Sequence, residues 1–123
     1  MKHSKGFLAL VQAAKKHVTE IVPSAVLKRL ERKSETIVVD VREDLEWKAG
    51  HVAGAIHLGK GIIERDIETT IPEKSTEIIL YCGGGFRSAL SADSLQKMGY
   101  TNVLSMKGGW RKWKALAYPV TKK

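Results

Sequence analysis

The sequence predicts a three-layer α/β domain, with a central parallel sheet of about five strands and helices on both faces. Two observations predict it. The apolar runs are apolar throughout rather than alternating, as strands buried on both faces are. Those runs also alternate with segments of helical periodicity, as the crossovers between parallel strands require. A chain of 123 residues is long enough to give such a domain its own core.

Taken in order, residues 5–17 carry apolar positions at helical spacing and predict an N-terminal helix. A short strand is expected near 19–22, then a helix over 23–33, where Pro23 suits the first helical position and Val26, Leu27 and Leu30 share a face. Residues 36–41 (TIVVDV) read as a buried strand, 43–49 as a helix stopped by Gly50, and 55–58 as a short strand. A weaker helix follows over 62–69, and the run 77–82 (EIILYC) is the most apolar strand. The helix expected over 88–98 has Ala89, Ala92, Leu95 and Met98 as its apolar positions, with Gly99 to stop it. Strand 102–106 and a helix over 109–116 complete the alternation.

With 43% hydrophobic and 28% charged residues, the composition is that of a folded globular chain. No apolar run approaches the roughly 20 residues that span a bilayer. The segment 7–11 is followed by Gln12, Lys15 and Lys16 and is too short for a secretory signal. A cytoplasmic protein without membrane partners is expected. The formal charge of +8 is uneven: residues 1–19 hold four lysines and no acid, residues 94–123 hold seven cations and no acid, and the middle sums to −3. Basic ends of this kind suit small anions, an acidic protein or tRNA. No interleaved aromatics, helix-turn-helix pattern or zinc knuckle accompanies them, so DNA is not an expected partner.

Cys82 is the chain's single cysteine, which closes off an intramolecular disulfide, a resolving pair and a multi-cysteine zinc site. The four histidines are scattered, form no metal motif and imply no cofactor. The neighbourhood of Cys82 is distinctive. A strand ends at the cysteine, Gly83, Gly84 and Gly85 follow, and then come Phe86, Arg87 and Ser88 at the start of a helix. In a parallel sheet, sites form where a strand's carboxyl end meets the next helix. Three glycines let the backbone curl with its amides inward, through positive φ where needed. A ring of amides at a helix N-terminus then stabilises an anion. Here that anion is the thiolate itself, the nucleophilic form of cysteine. Cys82 is therefore expected to be the catalytic nucleophile. The amides of 83–87 form its cradle, Arg87 is the donor's anchor, and Ser88 is the helix cap.

At this point the sequence resembles the rhodanese family, as a single-domain rhodanese-like sulfurtransferase. Asp40-Val41-Arg42, Glu46-Trp47, Gly50-His51-Val52 and Gly54-Ala55-Ile56-His57-Leu58 are similar to its first signature. Residues 82–88 resemble its catalytic loop, and Lys107-Gly108-Gly109-Trp110 with Trp113 resembles the third signature. The resemblance covers residues 20–120 and implies a rhodanese-like domain there, behind an N-terminal helical extension at 1–19. It also implies transfer of a sulfane sulfur from thiosulfate or a persulfide to a thiol or cyanide, with Cys82 carrying the sulfur as a persulfide in between. Gly83, Gly84, Gly85, Phe86, Arg87 and Ser88 would form the substrate-binding loop. The six-residue loop, 82–87, matches members that act on sulfur, whereas phosphatases of similar fold carry one residue more. Many thiosulfate-using members place a second cation directly after the cysteine, where this chain has Gly83, so weak use of thiosulfate is expected. The alternative is a sulfur-carrier or persulfide-sensing module that docks on a partner protein or tRNA. Of the remaining signature residues, Asp40 and Arg42 are expected to brace loops, with Glu46 as Arg42's partner. Trp110 is expected to wall the pocket and Trp47 to lie in the core.

Overall fold

The computed structural model describes residues 3–123. Its elements run α1 (Lys5–Lys15), β1 (Thr19–Ile21), α2 (Pro23–Glu31), β2 (Ile37–Asp40), α3 (Asp44–Ala49), β3 (His51–Val52), β4 (Ile56–His57), α4 (Ile63–Thr70), β5 (Ile78–Tyr81), α5 (Phe86–Lys97), β6 (Val103–Met106), α6 (Gly109–Ala115) and β7 (Val120–Thr121). Five strands form one sheet in the order β1-β6-β5-β2-β4, with every pairing parallel. The predicted three-layer architecture and its strands are present.

The strands are apolar throughout because both faces are covered. Val39, Ile78 and Leu80 point into one core with Ile63 and Ile67 of α4 and Ala92 and Leu95 of α5. Val38, Ile79 and Tyr81 point the other way, to Val26 of α2 and Trp113 of α6. Each fully buried aliphatic side chain contributes on the order of 1.5–3 kcal/mol, so this pair of cores, rather than the loops, supplies the stability. Helix α1 packs outside α5, with Val11 and Ala14 buried and the Gln96 amide of α5 donating to the His17 carbonyl at 2.7 Å.

The antiparallel ribbon of β3 and β7 was not legible, since two-residue strands carry no periodicity. Its register pairs Val52 with Val120 and holds the chain after α6 against the turn after α3. The central strand β5 lies between β6 and β2. The chain runs outward from β2 to β4 and returns to β5, so the carboxyl end of β5 lies where such sheets form their sites.

Candidate active site

Strand β5 delivers Cys82 to this position, where the residue is only 1% exposed. It packs as part of the core, rather than as the marginal loop residue its place in the sequence suggests. Of the three glycines only Gly85 takes positive φ, +101°. That left-handed residue caps α5, which begins at Phe86. Ser88 is therefore not the helix cap expected from the sequence: it lies inside the first turn, fully buried. Its hydroxyl faces the sulfur at 3.6 Å and is hydrogen-bonded to Ser105 Oγ of β6 at 2.8 Å.

The Gly85 N–H donates to Cys82 Sγ at 3.1 Å. Burial pushes the thiol's pKa up. Hydrogen bonds from the Ser88 hydroxyl and from the Ser88, Gly84 and Gly85 amides together outweigh it, so the thiol titrates below its ordinary range. This is the signature of a site built for an anion on sulfur.

Helix α6 fixes the outside of the loop. The Trp110 N–H donates to the Cys82 carbonyl at 2.7 Å and the Arg111 N–H to the Gly83 carbonyl at 3.1 Å. With these carbonyls held outward, the loop's amides are free to face the sulfur. Such an approach needs a residue without a side chain. Gly109 has φ +54°, and a Cβ there would run into the Cys82 carbonyl oxygen and come within 3.0 Å of the Gly83 backbone. Gly109 is thus a packing requirement of the loop.

Beneath it lies a buried polar network. The Arg42 guanidinium donates to Asp40 and, at 2.7 Å, to the Gly50 carbonyl. The Tyr81 hydroxyl donates to Asp40 Oδ2 at 2.8 Å and accepts from the Val52 N–H at 3.0 Å. Trp110 lies 4.7 Å over the same guanidinium. Asp40 and Arg42 brace the loops as expected, but Glu46 is not Arg42's partner. The Glu46 carboxylate accepts the Glu43 N–H at the start of its own helix and both terminal nitrogens of Arg87, at 2.8 and 3.1 Å. Arg87's hydrogen bonds hold the Glu46 carboxyl below the usual carboxylate range, against the opposing effect of burial.

Above Cys82 is a cavity of about 610 Å³, lined by Glu46, Arg87, Trp110 and loop residues. Two contributors were not legible from sequence. One is the N-terminal segment: Phe7 of α1 and His3, two residues before that helix, pack on Phe86 with ring centroids 6.2 and 5.0 Å away, forming an aromatic wall. The other is Arg111, whose guanidinium lies across Gly84, with Cζ 3.2 Å from where a Cβ would stand. Arg87 covers Gly83 similarly, its Nη2 lying 3.2 Å from where a Cβ would stand there. Gly83 and Gly84 thus serve the close approach of two arginines, rather than a left-handed backbone.

Neither histidine of the first signature serves the sulfur. His51 Nδ1 meets the Trp47 carbonyl at 2.9 Å and His57 Nε2 the Arg42 carbonyl at 2.8 Å. Trp47 stacks on both rings and is half-buried rather than central to the core.

A buried thiol met by a backbone amide and a serine hydroxyl thus stands at the carboxyl end of a parallel sheet. The particular family follows from comparison: the Rhodanese-like domain model matches residues 22–116, and the chain belongs to that family. The putative sulfurtransferase YtwF of Bacillus subtilis is 30% identical over 102 residues, covering 83% of this chain and 96% of that protein. The thiosulfate sulfurtransferase GlpE of Coxiella burnetii is 31% identical over 86 residues, covering 70% and 78%. Other curated relatives are longer: the chain spans about half the length of the putative sulfur carrier YrkF of B. subtilis, at 27% identity, and about three fifths of two more. A structure from Rhodopseudomonas palustris, described as a possible tyrosine phosphatase, matches with a TM-score of 0.88 over 98% of both chains. At 24% identity that likeness concerns the fold alone. At family level the chemistry is sulfur transfer.

Proposed function

We propose that this chain is a sulfurtransferase that moves a sulfane sulfur through a Cys82 persulfide. The observation that carries the reading is the cradle around Cys82 Sγ, where hydroxyl and amide donors converge on a buried sulfur beneath an open cavity. The Cys82 thiolate attacks the outer sulfur of thiosulfate or of a persulfide. The donor's S–S bond breaks, its electron pair leaves with sulfite or the donor thiolate, and a new S–S bond forms on Cys82. A thiol or cyanide then takes the outer sulfur, as a new persulfide or as thiocyanate, and the Cys82 thiolate returns. The terminal sulfur of the persulfide is also an anion, so the amides of Gly83, Gly84 and Gly85 and the Ser88 hydroxyl stabilise both covalent states. Phe86 gives the donor an apolar wall. Arg87, forked on Glu46, ties the loop to α3.

In this reading a domain at 20–120 does the chemistry, and an N-terminal extension at 1–19 completes the cavity through Phe7. A cytoplasmic setting suits a lone thiol that must stay reduced between turnovers. The carrier reading is favoured by the likeness to YrkF and by basic chain ends suited to an acidic protein or tRNA. Steady-state turnover from thiosulfate to cyanide separates the two: saturable thiocyanate production, abolished in Cys82→Ser, supports the enzyme. A stable persulfide without turnover supports the carrier, and thiocyanate production that survives Cys82→Ser overturns both.

A further inference from the structure

We infer that Arg111, a residue outside the loop, selects an anionic sulfur donor at this site; the inference rests on the sulfurtransferase reading and names its donor-recognition residue. Three observations carry it. Both terminal nitrogens of Arg87 are engaged by the Glu46 carboxylate, so that pair brings no net charge to the cavity. Arg111 has no acidic partner among the described residues, and it lines the same cavity as Cys82. Its guanidinium lies across Gly84, two residues beyond the cysteine, and its backbone N–H anchors the residue's main chain to the Gly83 carbonyl. Gly83 brings no cation to the loop, and α6 supplies one from the neighbouring element instead.

A free guanidinium offers a planar fork that fits two oxygens of a sulfonate. With the sulfonate of thiosulfate on Arg111, the outer sulfur is the atom presented to Cys82. The S–S bond then breaks with its electron pair leaving on sulfite, whose charge Arg111 also meets. Total charge is conserved, since the thiolate and the thiosulfate dianion give the persulfide anion and the sulfite dianion.

The test measures persulfide formation on Cys82 by intact mass over a concentration series of two donors, thiosulfate and an organic hydropersulfide that bears no sulfonate, for the wild type, Arg111→Ala and Arg111→Lys. A lost charge-assisted contact raises the half-saturating thiosulfate concentration about tenfold or more. The preference for thiosulfate over the sulfonate-free donor should fall by the same factor in Arg111→Ala. Arg111→Lys should lie between, since an ammonium supplies charge without the fork. If the wild type loads but the alanine variant keeps the wild-type preference, or loses both donors equally, the assignment of Arg111 is overturned while the sulfurtransferase reading stands. A wild type that loads from neither donor overturns that reading and the inference with it.

Discussion

Replacing Ser88 with alanine removes the hydroxyl that faces Cys82 Sγ at 3.6 Å and leaves the backbone amides in place. A hydrogen bond to a charged group is worth about 1.5 kcal/mol at the lower end of the usual range, and the long contact argues for that end. One pKa unit corresponds to about 1.4 kcal/mol, so the thiol's pKa should rise by about one unit. At pH values below both pKa values, the thiolate fraction then falls about tenfold. The rate of Cys82 alkylation by a small reagent, followed against pH, reads this directly, because the chain has one cysteine. The profile of Ser88→Ala should be displaced to higher pH with the same alkaline plateau. The folded-state pKa lies below the ordinary thiol value of 9.0. The stability it contributes is therefore complete above about pH 9 and is lost as pH falls through the folded value. The variant should accordingly lose stability on the alkaline side. An unmoved profile would refute the assignment of Ser88 as a thiolate donor.

Two further substitutions test the supports of the loop. Gly109→Ala places a Cβ against the Cys82 carbonyl and should displace α6 and both of its hydrogen bonds to the loop; a misplacement near 1 Å costs on the order of 100-fold in rate, readable as slower persulfide formation, and an unchanged rate would contradict it. Asp40→Asn leaves the 2%-exposed Arg42 without its counter-charge, a loss of roughly 3–5 kcal/mol. At about 4 °C per kcal/mol for a chain of this size, the melting temperature should drop by more than about 10 °C, and a drop of a degree or two would show that the pair is not a brace.

The sheet was legible because burial on both faces leaves its strands no polar alternation, and Thr36-Ile37-Val38-Val39 and Glu77-Ile78-Ile79-Leu80 display this plainly. The thiol loop was legible because a lone cysteine, three glycines and a helix start lie within one short segment. What escaped are contacts made across the chain. Glu46 pairs with Arg87, 41 residues away, rather than with nearby Arg42, because Arg42 turns inward to Asp40 at the end of its own strand. Ser88 was misread as a cap because the left-handed turn at Gly85 starts the helix two residues earlier. Phe7 and Arg111 reach the cavity through the packing of α1 and α6, which no local pattern encodes. The Gly108-Gly109 pair did carry a signal, since adjacent glycines opening a helix mark a close backbone approach.

The most direct test of the account is the intact mass of the purified protein before and after excess thiosulfate or an organic hydropersulfide, and again after cyanide, with Cys82→Ser alongside. The account predicts a gain of one sulfur atom that cyanide removes and that the serine variant never shows. No gain from either donor, or an equal gain in the serine variant, would contradict a persulfide on Cys82.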